Sequence, residues 1–175
     1  MFSDPKRVLS QIHIDQGMSV ADFGSGSGHY TLLLAEIVGN SGRVFAFDIQ
    51  KELLSRIKKS AFELNFENVH CVWADLDEPN STSLKEDSLD RIFITNILFQ
   101  VEDRKALIRE AKRILKPGGK VLVVDWSESF AGLGPKEADV LKMKVAEQIF
   151  TEEGFSVEKG IEAGEHHYGF VCKLN

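Results

Sequence analysis

Val20-Ala21-Asp22-Phe23-Gly24-Ser25-Gly26-Ser27-Gly28-His29-Tyr30-Thr31 decides how this chain is read. A short apolar run ends in an acid, glycines follow at alternate positions, and a helical pattern begins at His29. Glycine has no Cβ, so such a loop turns tightly and lets a ligand come close to the backbone. The helix behind it aims its first free N–H groups at whatever lies above. That much would also suit a dinucleotide, but two details point away from one. The dinucleotide fingerprint G-x-G-x-x-G needs a small residue where this chain has His29. Asp22 stands two residues before the first glycine, where it would repel a pyrophosphate but could accept hydrogen bonds from the ammonium group of an amino acid.

Outward from this stretch the chain alternates strand and helix. Upstream, Ser3-Asp4-Pro5 reads as the cap of a helix running to about Ile14. Downstream, His29 to Val38 is helical and stops at Gly39-Asn40, and Arg43 to Phe47 is a second apolar strand ending in Asp48. Leu53, Leu54, Ile57, Ala61 and Leu64 share one side of a helix over 51–64. Val69 to Trp73 and Leu89 to Thr95 read as strands three and four, with a polar loop between them that has room for a turn of helix. A helix from Arg104 to Leu115 is broken by Lys116-Pro117-Gly118-Gly119 before strand five, Lys120 to Asp125. A helix over 136–153 and two closing strands, Phe155 to Ile161 and His167 to Leu174, complete the pattern. Continuous apolar runs such as Val121-Leu122-Val123-Val124 suit strands covered on both faces, as in a parallel sheet between helix layers. In such sheets the ligand lies beyond the carboxyl ends of the strands, so function is sought just after each one.

Composition bounds the alternatives. A chain of 175 residues with 43% apolar and 27% charged residues suits one soluble domain with its own core. The net charge of −6 argues against a broad phosphate-binding face. Cys71 and Cys172 each sit in an apolar strand and read as two buried thiols, and no Cys/His cluster has zinc spacing, so no metal is expected. No apolar run approaches the ~20 residues of a membrane span, and residues 1–7 lack a secretory core; the expected location is the cytoplasm.

The motif 20–31 resembles the first motif of class I S-adenosylmethionine-dependent methyltransferases, and the resemblance continues in order. Phe45-Ala46-Phe47-Asp48 is similar to their second-strand motif, Trp73-Ala74-Asp75-Leu76 to the third, Asp90 to Asn96 to the fourth, and Leu115-Lys116-Pro117-Gly118-Gly119-Lys120 to the turn before strand five. Singly, each acid could be a strand-end or capping residue; their order and spacing carry the likeness. The resemblance implies an α/β fold: a doubly wound, mostly parallel, seven-stranded Rossmann-like sheet with helices on both faces and an antiparallel C-terminal strand. It implies one domain over 1–175, with an N-terminal helix in 1–15, a cofactor-binding core over 16–125 and an acceptor-side part over 126–175. It also implies that Asp22, Gly24, Ser25, Gly26, Gly28, Tyr30, Asp48, Ile49, Asp75, Leu76 and Asn96 hold S-adenosylmethionine. Asp48 would take the ribose hydroxyls, Ile49 would pack on the adenine, and Asp75 would receive the adenine amino group.

Methyl transfer from a sulfonium is an in-line displacement in which positioning supplies much of the rate, so no catalytic residue is demanded. Departures from relatives narrow the acceptor. Asn96-Ile97-Leu98-Phe99 lacks the prolines of exocyclic-nitrogen methylating enzymes, no cysteine stands where cytosine C5 chemistry needs one, and two cysteines are too few for the arsenite pattern. A small-molecule acceptor is expected, and the pattern is most similar to the ubiquinone and menaquinone biosynthesis branch. Asn96, Phe99, Gln100, Asp125, Trp126, His166, His167 and Tyr168 are candidate pocket residues, with His29 shaping the cofactor mouth. His166, His167 or Asp125 could act as a base; the plainer reading of the histidine pair is the start of an edge strand with one ring toward solvent. An RNA or protein methyltransferase, a non-catalytic binder of the cofactor and a nucleotide-dependent oxidoreductase stay open as alternatives.

Overall fold

The computed structural model describes residues 3–130 and 132–175. Asp4 caps the short helix α1 (Pro5–Leu9), accepting from the Lys6 N–H, with Pro5 in the first turn. The helix is shorter than expected because Gln11 turns to the far end of the chain. Its side chain donates to the Glu162 carbonyl at 2.8 Å and accepts from the Glu162 N–H at 2.9 Å. These tertiary bonds replace another helical turn.

β1 (Ser19–Phe23), buried throughout, leads through the glycine loop into α2 (His29–Val38). β2 (Arg43–Asp48), α3 (Lys51–Glu63), β3 (Val69–Trp73), β4 (Leu89–Thr95) and α4 (Arg104–Ile114) follow within a residue of their sequence-based bounds. The loop between β3 and β4 forms no helical turn. It is pinned instead by buried Glu110, which accepts from the Thr82 N–H at 3.2 Å and from Arg113 Nη2 at 2.7 Å.

β5 (Leu115–Trp126) begins earlier than expected, because Lys116-Pro117-Gly118-Gly119 is absorbed as a bulge. Leu115 pairs with Leu89 and Lys120 with Arg91, so residues 116–119 together oppose Asp90. Gly118, at φ +73°, permits the bulge, and Lys116 Nζ reaches Asp90 at 2.7 Å. The helix expected over 136–153 divides into a 3₁₀ turn (Glu137–Asp139) and α5 (Met143–Glu152), since extended backbone at Val140 turns Leu141 onto the core. β6 (Phe155–Ile161) and β7 (His167–Leu174) follow.

The sheet order is β3-β2-β1-β4-β5-β7-β6. Neighbouring pairs from β3 to β5 are parallel, and β7 runs antiparallel to both β5 and β6. This is the expected doubly wound sheet, with its antiparallel strand inside rather than at the border. Alternate residues fill the two faces. Phe23, Ile92, Ile94 and Val123 pack with α4 and α5, while Val20, Phe93, Leu122 and Val124 pack with α1 and α2. Cys172 is buried, but Cys71 is only half-covered because β3 is the outermost strand. No helix among the described residues is long and apolar enough to cross a membrane.

Candidate functional site

The connections diverge on either side of β1 and β4, opening a crevice above the carboxyl ends of those strands. A cavity of about 550 Å³ lies there. Its wall includes Gly24, Ser25 and Gly26 of the loop, Tyr30 of α2, Asp48 and Ile49 after β2, Asp75 and Leu76 after β3, and Asn96 after β4. Of the residues expected to hold the cofactor, only Asp22 and Gly28 lie outside this wall.

The glycines do different jobs. Gly24, at φ +71°, lies so close to Ile97 that a Cβ would come within 2.4 Å of its Cδ1. Gly26, at φ +52°, faces open space, with only the Gly24 carbonyl 3.9 Å from a built Cβ, so it is the position a ligand can approach. Most of the loop's own amides are already engaged. Gly24 and Ser25 both donate to the Phe47 carbonyl at 2.9 Å, and Gly26 donates to Asp48 Oδ2 at 2.8 Å. The other oxygen of Asp48 accepts from the Gln50 N–H at 2.9 Å. Asp48 thus ties the glycine loop to the start of α3 and keeps lone pairs on both oxygens for a ligand's hydroxyls.

Asp22 lies beneath the loop, 1% exposed. Thr31 Oγ1 donates to its Oδ2 at 2.6 Å, and its Oδ1 has no partner. Burial pushes the carboxyl up to about 6 against the pull of the Thr31 hydroxyl and amide. A buried carboxylate with one oxygen unmatched calls for a cationic donor, and an ammonium group is one. Tyr30, whose hydroxyl lies 3.4 Å from Ser3 Oγ, is pushed up to about 12 by burial and stays neutral.

At the other end of the cavity the Trp73 indole N–H donates to the Ile49 carbonyl at 2.8 Å, and Lys51 Nζ lies 5.8 Å from the Trp73 ring centre. Ile49 itself is 55% exposed. Asp75 accepts from the Asp77 N–H at 3.1 Å, which fixes its turn. Asn96 adopts φ +56°, donates its N–H to the Val124 carbonyl at 2.8 Å and keeps a buried Oδ1 without a partner. Left-handed backbone held by its surroundings is a common feature of ligand clamps. Thr31 and Ile97, both decisive here, were not singled out from the sequence. A polar residue on the buried side of α2 was a legible signal for Thr31, whereas Ile97 carries none.

The acceptor candidates scatter. Asn96 and Gln100 face the 550 Å³ cavity, as does His29; Phe99, Asp125, Trp126, His166, His167 and Tyr168 do not. Asp125 and Tyr168 are cross-strand neighbours on the α4–α5 face. Burial pushes Asp125 up to about 6, although the Trp126 N–H donates to it at 2.7 Å and the Leu98 and Phe99 amides lie near; its Oδ2 has no partner. Burial, then Asp125, holds the Tyr168 phenol well above its ordinary range. His167 and Trp126 lie on the other face with ring centres 4.3 Å apart, while His166 turns to Glu128 at 2.7 Å and stacks on Phe130 at 3.8 Å. The edge-strand reading of the histidine pair is wrong, since β7 lies between β5 and β6 and His167 is buried. Among the described residues no group of three or more His, Cys, Asp or Glu side chains converges as a metal site.

A glycine loop over β1, acids after β2 and β3 and this strand order define a nucleoside-binding domain of the methyltransferase type. The chain belongs to the methyltransferase domain family, whose model matches residues 14–162, and to its class I, S-adenosylmethionine-dependent branch. A demethylmenaquinone methyltransferase of Oceanobacillus iheyensis is 28% identical over 123 residues, 70% of this chain and 50% of that protein. An arsenite methyltransferase of Aquipseudomonas alcaligenes is 34% identical over 140 residues, 69% of this chain and 40% of that protein. The chain therefore spans half or less of the length of these relatives. The crystal structure of a SAM-dependent methyltransferase from Aquifex aeolicus superposes with a TM-score of 0.89 at 25% identity, covering 99% of this chain and 91% of that one.

Proposed function

We propose that this chain transfers a methyl group from S-adenosylmethionine to a small-molecule acceptor. The observation that carries the reading is the single 550 Å³ cavity that gathers the glycine loop, Asp48, Ile49, Asp75 and Asn96 in the family's order. Open space beside Gly26 and the unmatched Oδ1 of Asp22 fit such a cofactor: a close backbone approach for its body and an anion for its ammonium group. Bound there, S-adenosylmethionine supplies a methyl group made electrophilic by a sulfonium. The chain's own part is to orient and to exclude water. Asp48 holds the ribose and the loop together, Ile49 and Leu76 flank the adenine, Asp75 takes its amino group, and Asn96 borders the side toward the acceptor.

The division of labour we infer runs from a cofactor-binding core over 16–125 to an acceptor-side part over 126–175. The likeness to an arsenite enzyme does not extend to the thiols. Cys71 on β3 and Cys172 on β7 are separated by β2, β1, β4 and β5, and cannot share one arsenic atom. The net charge of −6 favours a small acceptor over RNA.

Calorimetry with S-adenosylmethionine, S-adenosylhomocysteine and NAD tests the reading directly. Both adenosyl ligands should bind, and Asp48→Ala should weaken them at least about tenfold, roughly 1.4 kcal/mol. Preference for NAD, or equal affinity in the variant, refutes it.

A further inference from the structure

We propose that His29 holds the carboxylate at the amino-acid end of the cofactor, so that the site tells S-adenosylmethionine and its product from adenosyl compounds without that group; this rests on the methyltransferase reading above. With the adenine between Ile49 and Leu76 and the ribose on Asp48, the other end of the cofactor falls at the glycine loop and the start of α2. His29 is the first residue of that helix, and it lines the 550 Å³ cavity beside Gly26, Ser27 and Tyr30.

The charges of the cavity single out this side chain. S-Adenosylmethionine brings two positive groups, the sulfonium and the ammonium, and one negative group, the carboxylate. The wall holds Asp48, Asp75 and Asp77, and Asp22 lies beneath the loop. These acids suit the positive groups and repel the negative one. Among the described residues of the wall there is no lysine or arginine, and His29 is the one side chain able to carry positive charge. Lys51 is turned to the Trp73 ring at the adenine end, 5.8 Å from its centre. The hydroxyls of Ser25 and Ser27 add neutral donors near the loop but no charge.

Local structure agrees with this role. His29 is exposed, so a ligand reaches its ring. Its Nδ1 lies 3.4 Å from the Ser27 hydroxyl, which can donate to it and leave the proton on Nε2. Nε2 has no partner among the described residues and is free to donate to a ligand. An imidazole donates to a carboxylate as a neutral ring through one N–H, and more strongly as a cation. The helix itself gains nothing from a cation at this place, because the positive end of its dipole lies there. It also begins with no side-chain cap and no acid in its first turn. A ligand's anion bound against His29 answers both.

Calorimetry with two ligands tests the assignment: S-adenosylhomocysteine, and S-adenosyl-3-thiopropylamine, the same molecule with hydrogen in place of the carboxylate. The wild type should bind the first about tenfold more tightly, the scale of one charge-assisted hydrogen bond. His29→Phe keeps a ring and removes both nitrogens. It should weaken S-adenosylhomocysteine about tenfold and the thiopropylamine by less than about twofold, so that the preference disappears. Equal weakening of both ligands overturns the proposal, since a residue that only shapes the mouth acts on both. Unchanged affinity for both overturns it too. His29→Ala is read in the same way should His29→Phe fail to fold, and a wild type with no preference between the ligands rejects the proposal whatever the variants do. Binding of S-adenosylhomocysteine without that preference overturns this proposal alone, whereas failure of both adenosyl ligands to bind the wild type overturns the methyltransferase reading with it.

Discussion

Replacing Asp22 by Asn should make the ligand-free protein gain stability on the wild type as pH rises from acid to neutral, while spoiling its cofactor site. The carboxyl has an ordinary value of 3.8 and is pushed to about 6 when folded, chiefly by burial. Between those values the folded chain holds a proton that the unfolded chain has released, so stability falls as pH rises through the window and the loss is complete above it. A rise of that size corresponds to about 3 kcal/mol, of which roughly 2 kcal/mol falls between about pH 4.5 and about pH 7.5. Asn keeps an acceptor for the Thr31 hydroxyl and removes the titration. It also leaves a buried NH₂ unmatched, a cost of ~1–3 kcal/mol that is the same at both pH values and cancels in the difference. Urea unfolding at the two pH values measures that difference: the variant should gain about 2 kcal/mol on the wild type in going from the acid to the neutral condition. Its affinity for S-adenosylhomocysteine should fall at least about tenfold, the value of one charge-assisted hydrogen bond. A differential below about 0.5 kcal/mol, or wild-type affinity in the variant, would refute the account of a buried anion kept for a cationic ligand group.

Two substitutions probe the frame around the site. Gly24→Ala adds a Cβ 2.4 Å from Ile97 Cδ1 at φ +71° and should cost at least ~2 kcal/mol in urea unfolding; Ile97→Ala in the same chain should relieve the clash but not the backbone, and so restore only part. Full recovery in the double variant would show that the left-handed backbone is not strained. Glu110→Gln should destabilise by about 1–3 kcal/mol at neutral pH. Burial alone would raise the Glu110 carboxyl, but Arg113 and Thr82 outweigh it and hold the carboxyl below its ordinary range. Its contribution is therefore present above that range and lost as pH falls, and the gap between variant and wild type should close in acid.

How much of this was legible in the sequence depended on how local the cause was. β1 to β4 and α2 to α4 were readable because apolar periodicity and glycine punctuation act over a few residues. Residues 116–119 were misread because Pro-Gly-Gly signals a turn anywhere, and only the pairing of β5 with Leu89 and Arg91 turns it into a bulge. Helix α1 was overdrawn because the bonds that shorten it come from Glu162, more than 150 residues away. On the cofactor side the acids after β2 and β3 could be placed because strand ends converge in any doubly wound sheet. The acceptor side could not. His166, His167 and Tyr168 are consecutive, but a strand sends neighbours to opposite faces, and only the sheet order shows that His167 and Trp126 share one face while Tyr168 and Asp125 share the other.

The place of β7 has a consequence for how the chain is made. It follows β6 in the sequence yet stands between β5 and β6, so β6 has no backbone partner until residues 167–174 have been synthesised. During translation the open edge of β5 and the whole of β6 wait with unpaired N–H and C=O groups, a template for pairing with another chain. A nascent chain stalled between residues 161 and 167 would hold the complete glycine loop with Asp22, Asp48 and Asp75 beside a sheet that is still unfinished. Surveillance by chaperones should therefore matter most over this short interval, and a premature stop within β7 should yield insoluble protein rather than a weakened enzyme.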